Sequence, residues 1–433
     1  MTPQASFMVL AAIDPTRETT LRQLLASMNL GTGRVNPNNS LIPFGQFENL
    51  HFARLLIVDD KTIDDIRAYN QPPTTFPLYL AFLGDVDGDS DALLEELARL
   101  APNGLRSIFS CCEGFTSDTD LVSWMKRHST PSAASYVNWL GRTNRCIREE
   151  AQLHEALENY IKSNASSLTG LRPREIHAHL QRFIQAERSS GRLTLTTEDP
   201  TPPEWWTRNL LHLIGVPLLL LLASPILVPI GLIVLIRLRT LEKTDPVLCP
   251  RVDSTYSNAL ALLEDHDVTN QFTAMGSLKP GIVRLLITLF ALLIIDWAAR
   301  HIFTRGRLAR VRTIHFARWV FLDGRKRVVF FSNYDSSLEA YMDDFINKVG
   351  FGLNLIFSNG IGYPRTSFLI KDGCSDERKF KEYLRRHQLP TQVWYSASPG
   401  LTAVYLERNS RIRKGLESLS MSDQEAREWV ALL

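Results

Sequence analysis

The chain has 433 residues, 45% hydrophobic and 22% charged, which is long enough for two or three cores and is the composition of a folded protein. Lys+Arg 48 against Asp+Glu 46 leaves a net charge of +2, so no global field favours nucleic acid or another polyanion. Five cysteines (Cys111, Cys112, Cys146, Cys249, Cys374) form no CxxC and are too scattered for a disulfide framework, which favours a reducing compartment.

The stretch up to Asp14 lacks the basic and long apolar regions of a secretory signal and reads directly into a strand, so the polar parts are expected on the cytoplasmic side. Residues 1–160 give a strand (Phe7 to Ile13), a helix (Thr19 to Met28), two strands (Leu50 to Val58, Leu78 to Val86), a helix (Ser90 to Leu100) and a strand (Leu105 to Ser110). Alternating β-rich runs bounded by Asp, Pro and Gly carry the strands, and leucines at i, i+3 and i+4 carry the helices. This is βαββαβ, the order of a ferredoxin-like unit. A helix (Trp124 to His128), a strand (Tyr136 to Leu140) and a charged helix follow.

Residues 161–209 read as a helical spacer, with a polar helix (Pro173 to Arg188) and a Thr/Pro-rich linker. Ile214 to Ile236 is 23 residues without a charge, long enough to cross a hydrocarbon core of about 30 Å. Trp205, Trp206, Arg237 and Arg239 flank it as interfacial anchors. Pro217, Pro225 and Pro229 each remove a backbone donor, so a membrane-anchoring hairpin over 210–239 is expected in preference to a straight helix or to two crossings. A buried core helix is the alternative.

After a connector (240–267), residues 268–417 repeat the first pattern: Gln271 to Leu278, Ile282 to Ala299, Thr313 to Leu322, Val328 to Tyr334, Ser337 to Lys348 and Leu353 to Ser358, then Glu377 to His387 and Gln392 to Ala397. His-Phe-Ala-Arg stands at 51–54 and again at 315–318, and Phe7, Ile13 and Pro15 correspond to Phe272, Leu278 and Pro280. Downstream, Ile108-Phe109-Ser110 matches Ile356-Phe357-Ser358, and Asn144, Ile147 and Arg148 match Asn409, Ile412 and Arg413. Two such halves that pack together must lie on one side of a bilayer. The apolar helix 282–299 is then a scaffold helix resting on the membrane, and Arg300, Arg305, Arg307, Arg310 and Arg312 suit anionic headgroups. Residues 418–433 read as a C-terminal tail.

The fold expected is therefore α+β: two tandem ferredoxin-like repeats packed as a pseudo-dimeric α+β barrel, with an inserted apolar hairpin or helix. In strand order it resembles, at superfamily level, the dimeric α+β barrel proteins, which include dye-decolourising peroxidases and chlorite dismutases. Gly84-Asp85-Val86-Asp87-Gly88 fits the Gly-x-x-Asp-Gly pattern of the former, whose Asp assists peroxide cleavage. The same turn, with Asp89 and Glu96, imitates EF-hand spacing, but Ser90 stands where that loop needs its Gly, and helix capping explains the acids.

The polar cluster of the second half is the candidate site: His315 as ligand or general base, with Arg318, Asn333 and Asp335 as polar partners at the strand ends. A half-buried histidine with satisfied hydrogen bonds is the alternative. His128 and His387 end corresponding helices and read as C-terminal charge compensation. The function these readings imply is a membrane-associated oxidoreductase, peroxidase- or oxygenase-like, acting on a lipidic or aromatic substrate, with haem as the candidate cofactor on His315. The alternative is a non-catalytic membrane-bound scaffold that binds lipid or protein. No P-loop, dinucleotide fingerprint, Gly-x-Ser-x-Gly elbow or HExxH is present.

Overall fold

The computed structural model describes residues 1–247, 250–418 and 420–433. The principal strands are β1 (Gln4–Ala12), β2 (Leu50–Val58), β3 (Tyr79–Asp87), β4 (Ala134–Val137), β5 (Thr269–Ser277), β6 (Ile314–Leu322), β7 (Arg327–Asp335) and β8 (Val393–Ser396). They form two four-stranded antiparallel sheets, β1-β3-β2-β8 and β4-β6-β7-β5. Each sheet takes three long strands from one half of the chain and one short strand from the other. β8 pairs with β2, and β4 pairs with β6.

The helices are α1 (Glu18–Ser27), α2 (Ser90–Leu100), α3 (Pro102–Phe109), α4 (Leu121–Arg127), α5 (Asn144–Ser163), α6 (Pro173–Ser189), α7 (Pro203–Thr244), α8 (Ile282–His301), α9 (Leu338–Phe357), α10 (Glu377–His387), α11 (Ala403–Leu416) and α12 (Asp423–Val430). Alternation along the strands gives each sheet two apolar faces. Inner residues such as Leu56, Leu83, Val320 and Phe331 share one core, so the sheets pack face to face. Outer residues such as Phe7, Leu55 and Phe82 are covered by α1 to α4, and Phe272, Trp319 and Phe330 by α8, α9 and α10.

Residues 105–109 are helical, not a strand, and so are 353–357. Pro102 opens α3 at a position where its missing N–H costs nothing, and Leu105, Ile108 and Phe109 fall on one buried face at helical spacing. The last strand of a βαββαβ sheet would lie beside β1 or β5, edges that carry only isolated bridges such as Val9 with Ser129 and Leu278 with Gly360, whereas the short strand from the opposite half joins the other edge, beside β2 or β6. The βαββαβ order therefore fails at its last element, and the strands expected at 136–140 and 392–397 are the ones that complete the sheets.

Other boundaries shift as well. α6 and α12 are not spacer and tail but pack with α5 and α11 around Leu153, Leu157, Leu180, Ile184, Ile412 and Trp429. Thr143 caps α5 and Thr402 caps α11, so Asn144 corresponds to Ala403 rather than to Asn409, which lies mid-helix. His128 and His387 each bond through Nδ1 to the carbonyl four residues back. Burial lowers the His387 pKa despite Asp65 nearby, so it is a neutral capping group and not a compensating charge.

α7 is one continuous helix of 42 residues, roughly 63 Å long, with Pro217, Pro225 and Pro229 inside it. The expected hairpin does not form. No residue from 211 to 237 is buried, yet both ends are fixed to the same body. Before the helix, the Thr196 N–H donates to Glu149 (2.7 Å) and Arg145 pairs with Asp199 (2.9 Å). His212 then meets His301 at 2.9 Å, and Trp297 donates to the Leu213 carbonyl. At the far end, Glu242 is fully buried and accepts from Thr366 and from the Phe368 and Leu369 N–H groups, all at 2.8 to 2.9 Å. Asp245 pairs with Lys279 (2.7 Å) and Arg284 (2.6 Å).

Burial would raise the Asp245 carboxyl, but Lys279, Tyr69 and Arg284 outweigh it and hold the pKa below its ordinary value of 3.8. A lowered acid contributes stability above its unfolded pKa and loses it as pH falls through the folded one. Asp245→Asn is therefore expected to cost about 3–5 kcal/mol, because Lys279 and Arg284 keep their burial without their anion. Denaturant unfolding at neutral pH measures this, and the gap between variant and wild type should begin to narrow as pH falls below about 4 and close only below the lowered pKa of folded Asp245, where both carry a neutral side chain.

Candidate functional site

Strand pairing slips by one residue at the same place in both sheets, between Leu50 and Phe52 and between Ile314 and Phe316. The extra residues are His51 and His315. A bulge re-aims its residue away from the regular ladder, and here each imidazole turns to the aspartate ending the neighbouring strand. His315 Nε2–H donates to Asp335 Oδ1 (2.6 Å), and His51 Nε2–H donates to Asp87 Oδ1 (2.8 Å). The other carboxylate oxygens accept the first backbone N–H of the following long helix, Ala403 of α11 and Asn144 of α5, each at 2.7 Å. Each aspartate thus fixes a histidine and stabilises a helix N-terminus.

Arg318 and Asn333 belong to a different group, one layer away between the sheets. Arg318 donates to the carbonyls of Phe7 (2.8 Å) and Gly84 (2.9 Å) and to the Asp85 carboxylate. Arg54 does the reciprocal thing, donating to the carbonyls of Phe272 (3.1 Å) and Ser332 (2.9 Å) and to Asn333 Oδ1. Asn333 Nδ2 closes the ring by donating to Asp85 Oδ2 at 2.9 Å. Burial pushes the Arg54 guanidinium down to about 9, with Asp85 opposing the shift and Arg318 adding to it. The expected cluster of four therefore divides into a His–Asp pair and two members of a buried arginine network.

The acidic turn disperses in the same way. Asp85 faces Arg318, Asp87 holds His51, and Asp89 caps α2, so the three converge on no cation. Gly84 is required by packing, since a Cβ there would stand 2.7 Å from the Phe52 carbonyl oxygen and from the Phe7 ring.

His51 and His315 line one small chamber of about 40 Å³, together with Phe52, Phe316, Arg142 and Leu401. The rings alternate across it: His51 lies 5.5 Å from Phe316, and His315 lies 5.5 Å from Phe52. Among the described residues no side chain bonds the Nδ1 atom of either histidine. Each is an open hydrogen-bond acceptor, but no hydroxyl or thiol is poised on it as a nucleophile. A haem does not fit here: Asp335 occupies His315 Nε2, and the chamber is far below the roughly 300–1,000 Å³ of ordinary cofactor sites.

Comparison with protein-family models, with curated proteins and with solved structures finds no match to this chain. What the site can do rests on its own residues. Sequence reasoning missed Arg142, although Gly141-Arg142-Thr143 and Gly400-Leu401-Thr402 repeat a Gly-x-Thr turn before α5 and α11, with positive φ at both glycines (87° and 80°). That repeat would have exposed the Arg/Leu difference.

Asp85→Asn removes the one carboxylate bonded within the arginine network. With two guanidiniums left buried, unfolding free energy is expected to fall by about 3–5 kcal/mol. Arg318→Met made together with Asp85→Asn should recover part of that loss, which a double-mutant cycle by chemical denaturation measures.

Proposed function

We propose that the chain is a monotopic membrane protein, a non-catalytic scaffold whose two halves are matching α+β units, each sheet completed by a strand from the other half, packed as a pseudo-dimeric α+β barrel on the cytoplasmic face. The observation that carries this reading is the state of α7: no residue of its apolar middle is buried, while both its ends are tied into one body. Single passage across a bilayer would put Asp199 and Glu242 on opposite sides, and both bond to the same packed sheets and bundle.

α8 continues the apolar surface. Ile282, Leu286, Phe290 and Leu293 are exposed along one stripe, while its other face packs on the second sheet. α8, like α7, is long and apolar enough to cross a membrane. Fifteen leucine, isoleucine and valine side chains between 211 and 236 are exposed. Immersing them gains on the order of 10 kcal/mol or more, well beyond the cost of ordering a surface helix. A patch of this extent on a protein surface marks a contact. Exposed Arg300 in the last turn of α8, with Arg305, Arg307, Arg310 and Arg312 after it, supplies charge for anionic headgroups.

The barrel reading is supported by the matching strand orders of the two sheets and by the reciprocal Arg54 and Arg318 contacts, the pattern of an isologous interface. The cytoplasmic placement is supported by Cys111, Cys112, Cys146 and Cys374, which are free thiols.

Two experiments test the proposal. Leu222→Lys with Ile226→Lys should move the protein from the floated to the soluble fraction of anionic vesicles, with thermal stability unchanged because both positions are exposed. Single cysteines at Thr197 and Lys243, in a background lacking the native five, should both react with an impermeant thiol reagent from the same side of sealed vesicles. Labelling of only one would contradict the monotopic arrangement.

A further inference from the structure

The chamber between His51 and His315 lies where the two halves meet, and its walls come in corresponding pairs. Phe52 faces Phe316, and Ile147 of α5 corresponds to Leu406 of α11. The correspondence breaks at the turn before each helix, where one half has Trp139 and Arg142 and the other has Ser398 and Leu401.

Arg142 is 6% exposed, and its Nε and Nη2 have no hydrogen-bond partner. Its guanidinium rests on the Trp139 ring at 4.1 Å. Burial pushes its pKa down only to about 10, so it is a cation at neutral pH. The acids that could neutralise it are engaged elsewhere: Glu150 accepts from Ser410 (2.7 Å) and Cys146, and Glu407 accepts from Arg312 (2.7 Å). A buried cation left without its bonds is costly, and natural structures keep very few. Nε and Nη2 form the edge of the guanidinium that grips a planar carboxylate with two parallel bonds.

Size and surroundings narrow the ligand. At about 40 Å³ the chamber has room for about three water-sized groups, which is the heavy-atom count of a carboxylate. Trp139 and Arg142 also line an outer cleft of about 550 Å³ whose walls include Arg145, Glu149, Glu198 and Lys414. A ligand that reached past Arg142 into that cleft would meet charged groups. Inside, the imidazoles of His51 and His315, each held through Nε2 by Asp87 or Asp335, complete the wall.

We propose that this chamber binds the carboxylate of a small polar acid, gripped by the Nε–Nη2 edge of Arg142 with His51 and His315 at its sides. The site is independent of the membrane contact and would operate whether α7 is immersed or not.

Acetate titrated calorimetrically into the full-length protein in detergent, with inorganic phosphate and decanoate in parallel, tests this directly. Acetate should bind saturably and raise the melting temperature, and phosphate, being tetrahedral, should bind more weakly. Arg142→Lys keeps the charge but not the paired N–H edge, and should weaken acetate at least tenfold. Arg142→Leu, which installs the residue of the corresponding turn, should abolish binding and melt higher than the unliganded wild type. The proposal is overturned if the wild type gives neither heat nor a melting shift with acetate, or if Arg142→Lys binds acetate as the wild type does. It is also overturned if phosphate binds more tightly than acetate, or if decanoate binds where acetate does not.

Discussion

Two arginines that cross from one sheet to the other hold this molecule together. Arg54 leaves the first half to cap two carbonyls and an amide of the second, and Arg318 returns the same bonds to the first. A guanidinium buried between apolar sheets has no water to fall back on, so each of its N–H groups must find an acceptor in the opposite half. Neither sheet can satisfy its own arginine. The exchange of β4 and β8 adds a second constraint of the same kind, since each sheet is completed only by a strand from the other half. The consequence is a single body from which α7 leaves and to which it returns.

Departures from the internal correspondence concentrate where the halves meet, and they have a physical reason. At such a place a group faces its own counterpart, and two identical acceptors would repel. Asp85 faces Asn333, so one side accepts and the other donates, at 2.9 Å. Arg142 and Leu401 differ in the same way a few residues from the paired histidines, leaving one charge where two would repel across a small chamber. The His–Asp pairs, which do not touch one another through their carboxylates, remain alike. Their shared task is structural as well as chemical, because each aspartate closes a strand and opens a helix.

Much of this was legible from local pattern. The His-Phe-Ala-Arg repeat marked β2 and β6 and, with them, both bulged histidines and both crossing arginines. The pairing of His315 with Asp335 followed from their places at adjacent strand ends. Residues 105–110 were not legible, because Leu105, Ile108 and Phe109 satisfy a short buried strand and one face of a helix equally well. His315 and Arg318 stand three residues apart and would face opposite ways by plain alternation, the bulge brings His315 round to Asp335 instead, and no sequence period announces an inserted residue. The three prolines of α7 suggested a break that the helix does not make.

The account depends on the halves being joined within one chain, with no part of α7 separating them. Phe52 and Ser396 stand opposite each other where β8 joins β2, at a spacing that suits a disulfide. Phe52→Cys with Ser396→Cys, oxidised in membranes and run on a non-reducing gel, should give a faster-migrating monomer at any protein concentration. A cross-linked dimer, or no cross-link, would mean that β8 completes a sheet in another molecule or in none, and the single-body account would not stand.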